Sequence, residues 1–257
     1  MENIIKMIQS DTEWNEMGRA GKSKVEREFN ILTETAKLEA IYQKALKNSP
    51  ASEITDDYHL DDRKQSPSII SDKKLNIVVD ASPLEDLSLR VRGIGRYMFN
   101  HFKELIAQTP DWRYTICGIA HQLNIPELNE LLKLSNCVYK NWKEFPGLKS
   151  NLLYLPHPMD PFTLDIIKYT SPFKVPMVCT FHDLIPLLFT DMYLNSNPSF
   201  KKLYYKQLAA PKVFCYFFLC DSRCTANDLE NFADIPIERL KVIYAGVFDI
   251  FTNCPSE

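Results

Sequence analysis

Residues 175–186 read VPMVCTFHDLIP, and this stretch decides the fold. Its centre, 177–181, is a short apolar run with no polar alternation, which is typical of a strand buried on both faces. A second such run, 214–220, follows after a helical stretch at 200–208. Strands of this kind occur in parallel sheets that are covered by helices on both sides. The stretch therefore predicts an α/β fold.

The same alternation of short β-branched runs and helical stretches begins at Leu75. The predicted strands are 75–80, 114–119, 151–155, 177–181, 214–220 and 240–244. The predicted helices between them are 94–107, 127–134, 200–208 and 225–232. This order predicts a Rossmann-like parallel sheet with helices on both faces over residues 75–257. Ligands of such folds bind beyond the carboxyl ends of the strands.

The residues before Leu75 differ in composition. Residues 1–46 predict helices, with a capping box from Ser10 to Glu13 and apolar stripes at helical spacing. No strands accompany them, so their apolar faces must pack on a sheet elsewhere in this chain or outside it, and we expect a sheet outside it. Residues 47–74 are rich in serine and charge and contain neither phenylalanine nor tryptophan. That composition predicts a flexible linker.

Composition excludes several classes of protein. The 257 residues carry 30 basic and 33 acidic groups, a net charge of −3, which argues against a nucleic-acid partner. No apolar run is long enough for a transmembrane segment, and the first residues do not resemble a secretory signal. The seven cysteines are scattered and mostly lie in apolar segments, which indicates buried thiols in a reducing compartment. No cluster has the spacing of a metal site.

A glycine pair in the motif Arg92-Gly93-Ile94-Gly95-Arg96 opens the first predicted helix of the sheet domain. Only seven glycines occur in the whole chain, so a close pair indicates a backbone requirement. A helix N-terminus with exposed amides and flanking arginines suits a phosphate. The motif lacks a third glycine and so is not the dinucleotide fingerprint. A tight turn before a helix is the alternative interpretation.

His182 and Asp183 directly follow the predicted strand 177–181, at the edge where ligands bind. Such a histidine can act as an acid or base, donate to a sugar hydroxyl or bind a metal. It can equally be a hydrogen-bonded residue in a strand-end turn. A His-Asp pair also occurs in metal phosphohydrolases, but there it belongs to a helical domain. His157, between two prolines, follows the strand 151–155 and suits either a substrate-lining loop or a turn.

Taken in order, five motifs resemble one family. A strand ending in Asp80 is followed by GIGRY (93–97), VPMVCTFHDLIP (175–186), CDSRCTANDL (220–229) and KVIYAGV (241–247). This order resembles the N-terminal half of a retaining glycosyltransferase of family 4, which has the GT-B fold. Residues 4–46 resemble the closing helices of the C-terminal half of such an enzyme. The resemblance implies a segment of a tandem glycosyltransferase: the tail of one unit, a linker over 47–74, and the head of the next.

The resemblance also implies site residues. His182 matches the histidine near the reacting sugar, and Gly93 and Gly95, with Arg96 beside them, match the loop that approaches the donor diphosphate. The remaining matches are Asp183, Ser222 and Gly246, at two strand ends and near the interdomain crossover. The family's basic phosphate-binding residues and its acidic pair lie in the C-terminal half, which would begin where this chain ends.

The function implied is transfer of a hexosyl group, of the mannosyl type, from a nucleotide-sugar donor to a glycan or lipid-linked acceptor with retention. The partners implied are these two substrates and the remaining glycosyltransferase domains of a parent chain. The expected location is the cytoplasm, with a peripheral position at the inner membrane face as an alternative. We expect no cofactor and no metal. A non-catalytic glycan- or protein-binding module that keeps the fold is the second hypothesis, and a metal phosphohydrolase is the third.

Overall fold

The computed structural model of the chain describes residues 11–47, 74–119 and 124–246. Its strands are β1 (Asn76–Asp80), β2 (Arg113–Gly118), β3 (Cys137–Asn141), β4 (Leu152–Leu155), β5 (Met177–Phe181), β6 (Cys215–Cys220) and β7 (Leu240–Val242). Its α-helices are α1 (Asp11–Glu28), α2 (Ile31–Lys47), α3 (Ser82–Glu85), α4 (Leu87–Arg90), α5 (Gly93–Gln108), α6 (Pro126–Leu131), α7 (Pro161–Thr170), α8 (Ile185–Leu188), α9 (Thr190–Tyr193), α10 (Pro198–Phe214) and α11 (Arg223–Ala233).

The strands form one sheet in the order β3-β2-β1-β4-β5-β6-β7, and every neighbouring pair is parallel. Val78 in β1 pairs with Thr115 on one side and Leu153 on the other. The chain therefore runs outward from β1 to β3 and then returns to β4 on the opposite side of β1. A reversal of this kind leaves a crevice at the carboxyl ends of the two central strands. The chain has the predicted α/β, Rossmann-like fold.

Alternate residues of the inner strands β1, β2, β4, β5 and β6 face two separate apolar cores. On one face, helices α2 and α5 cover the sheet, and the ring of Tyr154 lies 5.7 Å from that of Tyr42 and 5.1 Å from that of Phe102. On the other face, Leu208 of α10 and Leu229 of α11 pack against β5 and β6. Strands β4 and β5 are buried throughout, and β1 is buried after its first residue, so their sequences are largely apolar on both faces.

Helix α2 lies on this sheet and does not need one from elsewhere. Its residues Leu38, Tyr42 and Ala45 are buried in the same core as strands β1, β2 and β4. Because the stripe repeats at three and four residues, all three side chains point to the sheet. The expectation of a sheet outside this chain was wrong: the sheet that α2 covers is in this chain.

Most predicted elements are present, with ends that differ by a few residues. The helix predicted over 200–208 is longer, Pro198–Phe214, because Asn197 caps its first turn and Pro211 does not end it. The elements missed are strand β3, helix α7 and the four-residue helices α3, α4, α8 and α9. Strand β3 is an edge strand with a single buried residue, so it has no apolar run. The proline that starts α7 reads as a loop in the sequence, although Pro at the first helical position is favourable.

Some predictions concern residues that lie outside the described ranges, and others concern the cysteines and the absence of membrane spans. The capping box at Ser10, nearly all of the linker over 47–74, and Cys254 lie outside them. Of the six described cysteines, all of which are free, five are buried and Cys224 is exposed. Within the described ranges, no helix combines the length and the apolar character that crossing a bilayer requires.

Candidate functional site

Polar side chains lie at the carboxyl ends of four strands of the sheet. Asp80 is the last residue of β1, and His157, His182 and Asp221 follow β4, β5 and β6. Since Phe181 is the register partner of Cys220, the next residue on each strand, His182 and Asp221, meet beyond the sheet. These side chains lie around the central reversal of strand order, which is where ligands of this architecture bind.

The ring of His182 is held at both nitrogens. Its Nδ1 lies 3.2 Å from Oδ2 of Asp221, and its Nε2 lies 3.1 Å from the main-chain carbonyl oxygen of Pro156. Both partners are acceptors, so the ring satisfies both of them only when each nitrogen carries a proton. The ring also packs edge-to-face on Tyr97, at 5.3 Å between centroids. His182 is therefore a fixed, nearly buried group at the edge of the crevice.

The main chain at His182 is fixed as well. The hydroxyl of Thr225 donates to the carbonyl oxygen of His182 over 2.8 Å. Ser222 is the N-cap of α11, and its hydroxyl oxygen accepts from the amide of Thr225 over 3.0 Å. The loops after β5 and β6 are thus joined through the first turn of α11. The predicted residue Ser222 has a capping role that requires no ligand.

Helix α5 begins beside the cluster around His182, because Tyr97 of this helix packs on the ring of His182. Its N-cap, Arg92, makes no side-chain cap, and Arg92, Gly93 and Arg96 are all exposed. A Cβ placed on Gly93 would meet no atom within 4 Å. The start of α5 is therefore an open helix N-terminus with a positive dipole end and two arginines of the same sign.

Gly95 is different from Gly93. A Cβ at Gly95 would lie 2.8 Å or less from three backbone atoms of Arg90, the last residue of α4. The requirement for glycine at this position is thus explained by the close packing of α4 on α5. The tight-turn interpretation of the motif accounts for Gly95, while Gly93 has room for a ligand.

Helix α5 also holds the segment that follows β7. The hydroxyl of Tyr97 donates to the carbonyl oxygen of Ile243, and Nε2 of His101 lies 3.0 Å from the carbonyl oxygen of Tyr244. Burial lowers the pKa of His101 to about 4, so the ring is neutral and Nε2 carries its proton. Two residues further, a Cβ on Gly246 would meet the main chain of Ile31 in α2 at 2.4 Å. The close approach at Gly246 is therefore to another part of the same chain.

Asp80 lies deepest in the cluster and is completely buried. Its Oδ1 accepts from both the amide and the hydroxyl of Ser82, and its Oδ2 accepts from Thr163 over 3.4 Å. Burial raises the pKa of Asp80 to about 7, although the bonds from Ser82 oppose this shift. Burial and the neighbouring His182 lower the pKa of His157 to about 4. His157 is therefore neutral at pH 7, whereas Asp80 is about half protonated there.

The structure brings together some of the residues expected from the sequence and separates others. His182 and Ser222 lie in one hydrogen-bonded cluster, and Gly93 and Arg96 start the helix that packs on it. Asp183 is exposed, and its Oδ1 accepts from the amide of Ile185 instead of joining the cluster.

Sequence reasoning missed Asp221, Thr225 and Tyr97 as members of the cluster. For Asp221 a signal exists in the sequence: it directly follows a predicted strand, as His182 does. The position of Thr225 follows only from the cap of α11. His182 follows a strand and does not lie on a helix. The His-Asp pair of metal phosphohydrolases belongs to a helical domain, so this position argues against that hypothesis.

A cavity of about 540 Å³ opens at the opposite edge of the sheet. It lies at the amino ends of the first three strands, where Asn76 and Arg113 start β1 and β2. Its remaining charged lining comes from Lys74, Asp111 and Lys149. None of the residues expected from the sequence lines this cavity.

No protein-family model and no curated protein sequence matches the chain. The solved structures that match the chain weakly include the following two. One is HepE of Anabaena in complex with UDP, at 12% identity and a TM-score of 0.47, with the match covering 67% of this chain and 44% of that one. The other is a wide-type short-chain dehydrogenase/reductase of Veillonella parvula in complex with NADP, at 10% identity and a TM-score of 0.42, covering 71% and 89%. Likenesses this low do not bear on activity.

Proposed function

We propose that the chain supplies one half of a retaining glycosyltransferase site. The reaction is transfer of a hexosyl group, of the mannosyl type, from a nucleotide-sugar donor to a glycan or lipid-linked acceptor. The observation that carries this proposal is the juxtaposition of His182, held at both ring nitrogens, with the open N-terminus of α5. The five ordered motifs that resemble glycosyltransferase family 4 support the same choice of reaction.

The start of α5 would face the donor diphosphate. Its first amides have no side-chain cap, Gly93 leaves space above them, and Arg92 and Arg96 are exposed on either side. Amides at a helix N-terminus and nearby guanidinium groups both favour phosphate oxygens. Among the described residues, neither Arg92 nor Arg96 forms a salt bridge, so no carboxylate competes with a phosphate for these two side chains. Arg96, which the family resemblance places beside the loop that approaches the donor diphosphate, therefore keeps that proposed role.

His182 would act on the sugar. During transfer the bond between the anomeric carbon and the diphosphate oxygen breaks, the electron pair leaves with the diphosphate, and the acceptor hydroxyl oxygen bonds to that carbon. The hydroxyl proton passes to the departing phosphate oxygen. A ring edge held by Asp221 and Tyr97 is suited to orient the sugar, because its position does not change during the reaction. The Nε2 proton reaches a sugar hydroxyl if that hydroxyl replaces the Pro156 carbonyl as acceptor.

The other half of the site would come from further glycosyltransferase domains of a parent chain. In this proposal residues 1–46 are the tail of an upstream unit, residues 47–74 join the units, and residues 75–257 form the N-terminal domain. The phosphate-binding residues that the family carries in its C-terminal half would then complete the cleft. The contacts of α2 with the sheet support a tail that packs on the next domain.

Activity of a polypeptide that contains this chain with its neighbouring domains tests the proposal. We expect transfer from one member of a panel of nucleotide sugars, and His182→Ala should lower kcat about 10²-fold or more with little change in the KM of the donor. Lys74→Ala, at the opposite edge of the sheet, is the control and should leave kcat unchanged. Unchanged kcat in His182→Ala would remove the catalytic assignment.

A non-catalytic binding module is the second candidate, and one observation favours it. Both nitrogens of His182 are already bonded within the protein, so the ring has a structural role without any substrate. Such a module would bind a glycan at the same edge and transfer nothing. Binding of a glycan without turnover of any nucleotide sugar by the multidomain polypeptide would select this candidate.

A further inference from the structure

The cavity of about 540 Å³ at the amino edge of the sheet has part of one sheet face as its floor. Val78 of β1 is the register partner of Thr115 in β2, which pairs in turn with Val138 of β3, and all three residues line the cavity. Because register partners in a sheet point to the same face, these side chains form one row across three strands. Val138 is 49% exposed, so this row opens to solvent at the edge strand. The floor is therefore aliphatic, with one hydroxyl group.

Basic side chains stand beside this floor on fixed main chain. Arg113 lies two residues before Thr115 on β2, so both side chains point to the same face of the sheet. Lys149 belongs to the loop before β4, which Asn151 ties to the start of β1. Oδ1 of Asn151 accepts from the amide of Asn76 over 2.8 Å, and the amide of Asn151 donates to the carbonyl oxygen of Asn76 over 2.8 Å. The cavity thus combines an apolar floor with cations whose main chain is held in place.

The charge of the cavity indicates the chemistry of its ligand. Its lining holds three basic residues, Lys74, Arg113 and Lys149, against one acidic residue, Asp111, a net charge of +2. The whole chain, in contrast, has a net charge of −3. Among the residues that the structure describes, neither Arg113 nor Lys149 forms a salt bridge, and both side chains are exposed. Cations gathered in a concave site without carboxylate partners attract an anion.

We propose that this cavity binds a small phosphate monoester with an apolar or aromatic body. Such a group carries a charge of about −1.5 to −2 at pH 7, which matches the net charge of the lining. The guanidinium group of Arg113 donates paired hydrogen bonds to the phosphate, and Lys149 adds a point charge. The body of the ligand lies on the aliphatic row of Val78 and Val138. The volume is in the range of small-molecule sites.

This site is separate from the candidate transferase site. It lies at the amino ends of the strands, whereas His182 follows the carboxyl end of β5. A nucleotide sugar does not match the cavity, because its phosphates are internal and carry polar sugars on both sides, which the aliphatic floor cannot hydrogen-bond. Binding of a phosphate monoester here therefore does not depend on the proposed transfer reaction, and either proposal can fail alone.

Titration of the isotopically labelled full chain with phenyl phosphate, followed by amide NMR shifts, tests the proposal. We expect saturable shifts at Thr115 and around it, and much weaker binding of inorganic phosphate and of benzyl alcohol, each of which offers only one half of the ligand. Arg113→Gln with Lys149→Gln should weaken binding of phenyl phosphate at least about tenfold, because two charge-assisted contacts are lost. The matched control is Lys202→Gln with Lys206→Gln, which removes the same charge from exposed positions on α10 and should leave binding unchanged.

Four outcomes would overturn the proposal. The first is a folded chain in which millimolar phenyl phosphate causes no saturable shift. The second is equal affinity for phenyl phosphate and inorganic phosphate, because the apolar floor would then contribute nothing. The third is equal loss of binding in the Arg113/Lys149 variant and in the Lys202/Lys206 control, which would reduce the effect to general charge attraction. The fourth is a set of shifts at Gly93 with none in the cavity. Circular dichroism of each variant establishes that it is folded.

Discussion

The hydroxyl of Thr225 donates to the main-chain carbonyl of His182 across 2.8 Å and so joins the loops that follow β5 and β6. Thr225→Val keeps the shape of the side chain but leaves that carbonyl without its donor. We expect unfolding free energy to fall by about 1–3 kcal/mol, the usual cost of an unpaired buried polar group. Urea unfolding measures it.

Thr33 offers a matched control for this change. It is the third residue of α2, as Thr225 is the third residue of α11, but its side chain is exposed. Thr33→Val should change stability by less than about 0.5 kcal/mol. Thr225→Ser, which restores the donor, should recover most of the loss. Equal effects at positions 33 and 225 would show that the bond to His182 contributes nothing.

The two glycines of the α5 motif should respond in opposite ways. Gly95→Ala places a methyl group against the backbone of Arg90, so we expect a loss of roughly 1–3 kcal/mol or more in unfolding free energy. Gly93→Ala meets no neighbour and should change stability by no more than about 0.5 kcal/mol. Thermal or urea unfolding of both variants distinguishes them. A tolerated alanine at 95 would mean that the packing of α4 on α5 is not required.

Helix α2 should unfold together with the sheet. Tyr42 is fully buried against Tyr154, and its hydroxyl has no hydrogen-bond partner among the described residues. Tyr42→Ala should therefore cost about 3–5 kcal/mol, comparable to loss of a large aromatic side chain from a core. Tyr42→Phe, which removes only the unpaired hydroxyl, should be neutral or stabilising by about 1 kcal/mol.

The same pair of variants tests whether residues 31–47 form a separate unit. If α2 melted independently of the sheet, Tyr42→Ala would leave the main unfolding transition unchanged. A shift of the single main transition is the result that the contacts with β4, β5 and β6 predict.

Asp80 should make stability depend on pH in a specific direction. Burial raises its pKa to about 7 from the ordinary value near 4, so between these values the folded state binds more protons than the unfolded state. Unfolding free energy must therefore fall as pH rises through this window, by up to about 4 kcal/mol.

Asp80→Asn removes this titration. The difference in stability between the variant and the unchanged chain should grow from pH 4 to pH 7 and then remain constant. His101 and His157, whose pKa values are lowered to about 4, act in the opposite sense, but they are the same in both proteins and cancel in the difference. Asp111→Asn, at an exposed position, is the control. A difference that does not vary with pH would contradict the burial of an ionisable Asp80.

The sequence predicts the sheet well because its central strands are buried on both faces. The run 177–181 has no polar residue on either face except Thr180, so its type and its place at the ligand edge follow directly. The position of His182 at the carboxyl edge follows from that run. Strand β3 could not be found in the same way, since a half-exposed edge strand leaves no apolar run.

The details of the site depend on contacts between distant residues. Asp221 meets His182 only because Phe181 and Cys220 are register partners, which no local pattern in the chain shows. Gly95 and Gly246 look like ligand-facing glycines, but the atoms that approach them belong to Arg90 and Ile31. A glycine requirement can be read from the sequence, whereas the identity of the neighbour that imposes it requires the fold.

Titration of the isotopically labelled chain with nucleotide sugars, followed by amide NMR shifts, tests the central claim most directly. If the carboxyl edge is one wall of a donor site, shifts should cluster at Gly93, Arg96 and His182, with weak affinity in the millimolar range because only one wall is present. Arg92→Gln with Arg96→Gln should abolish them. Shifts confined to the opposite cavity around Asn76 and Arg113, or shifts that persist in the double variant, would contradict the assignment.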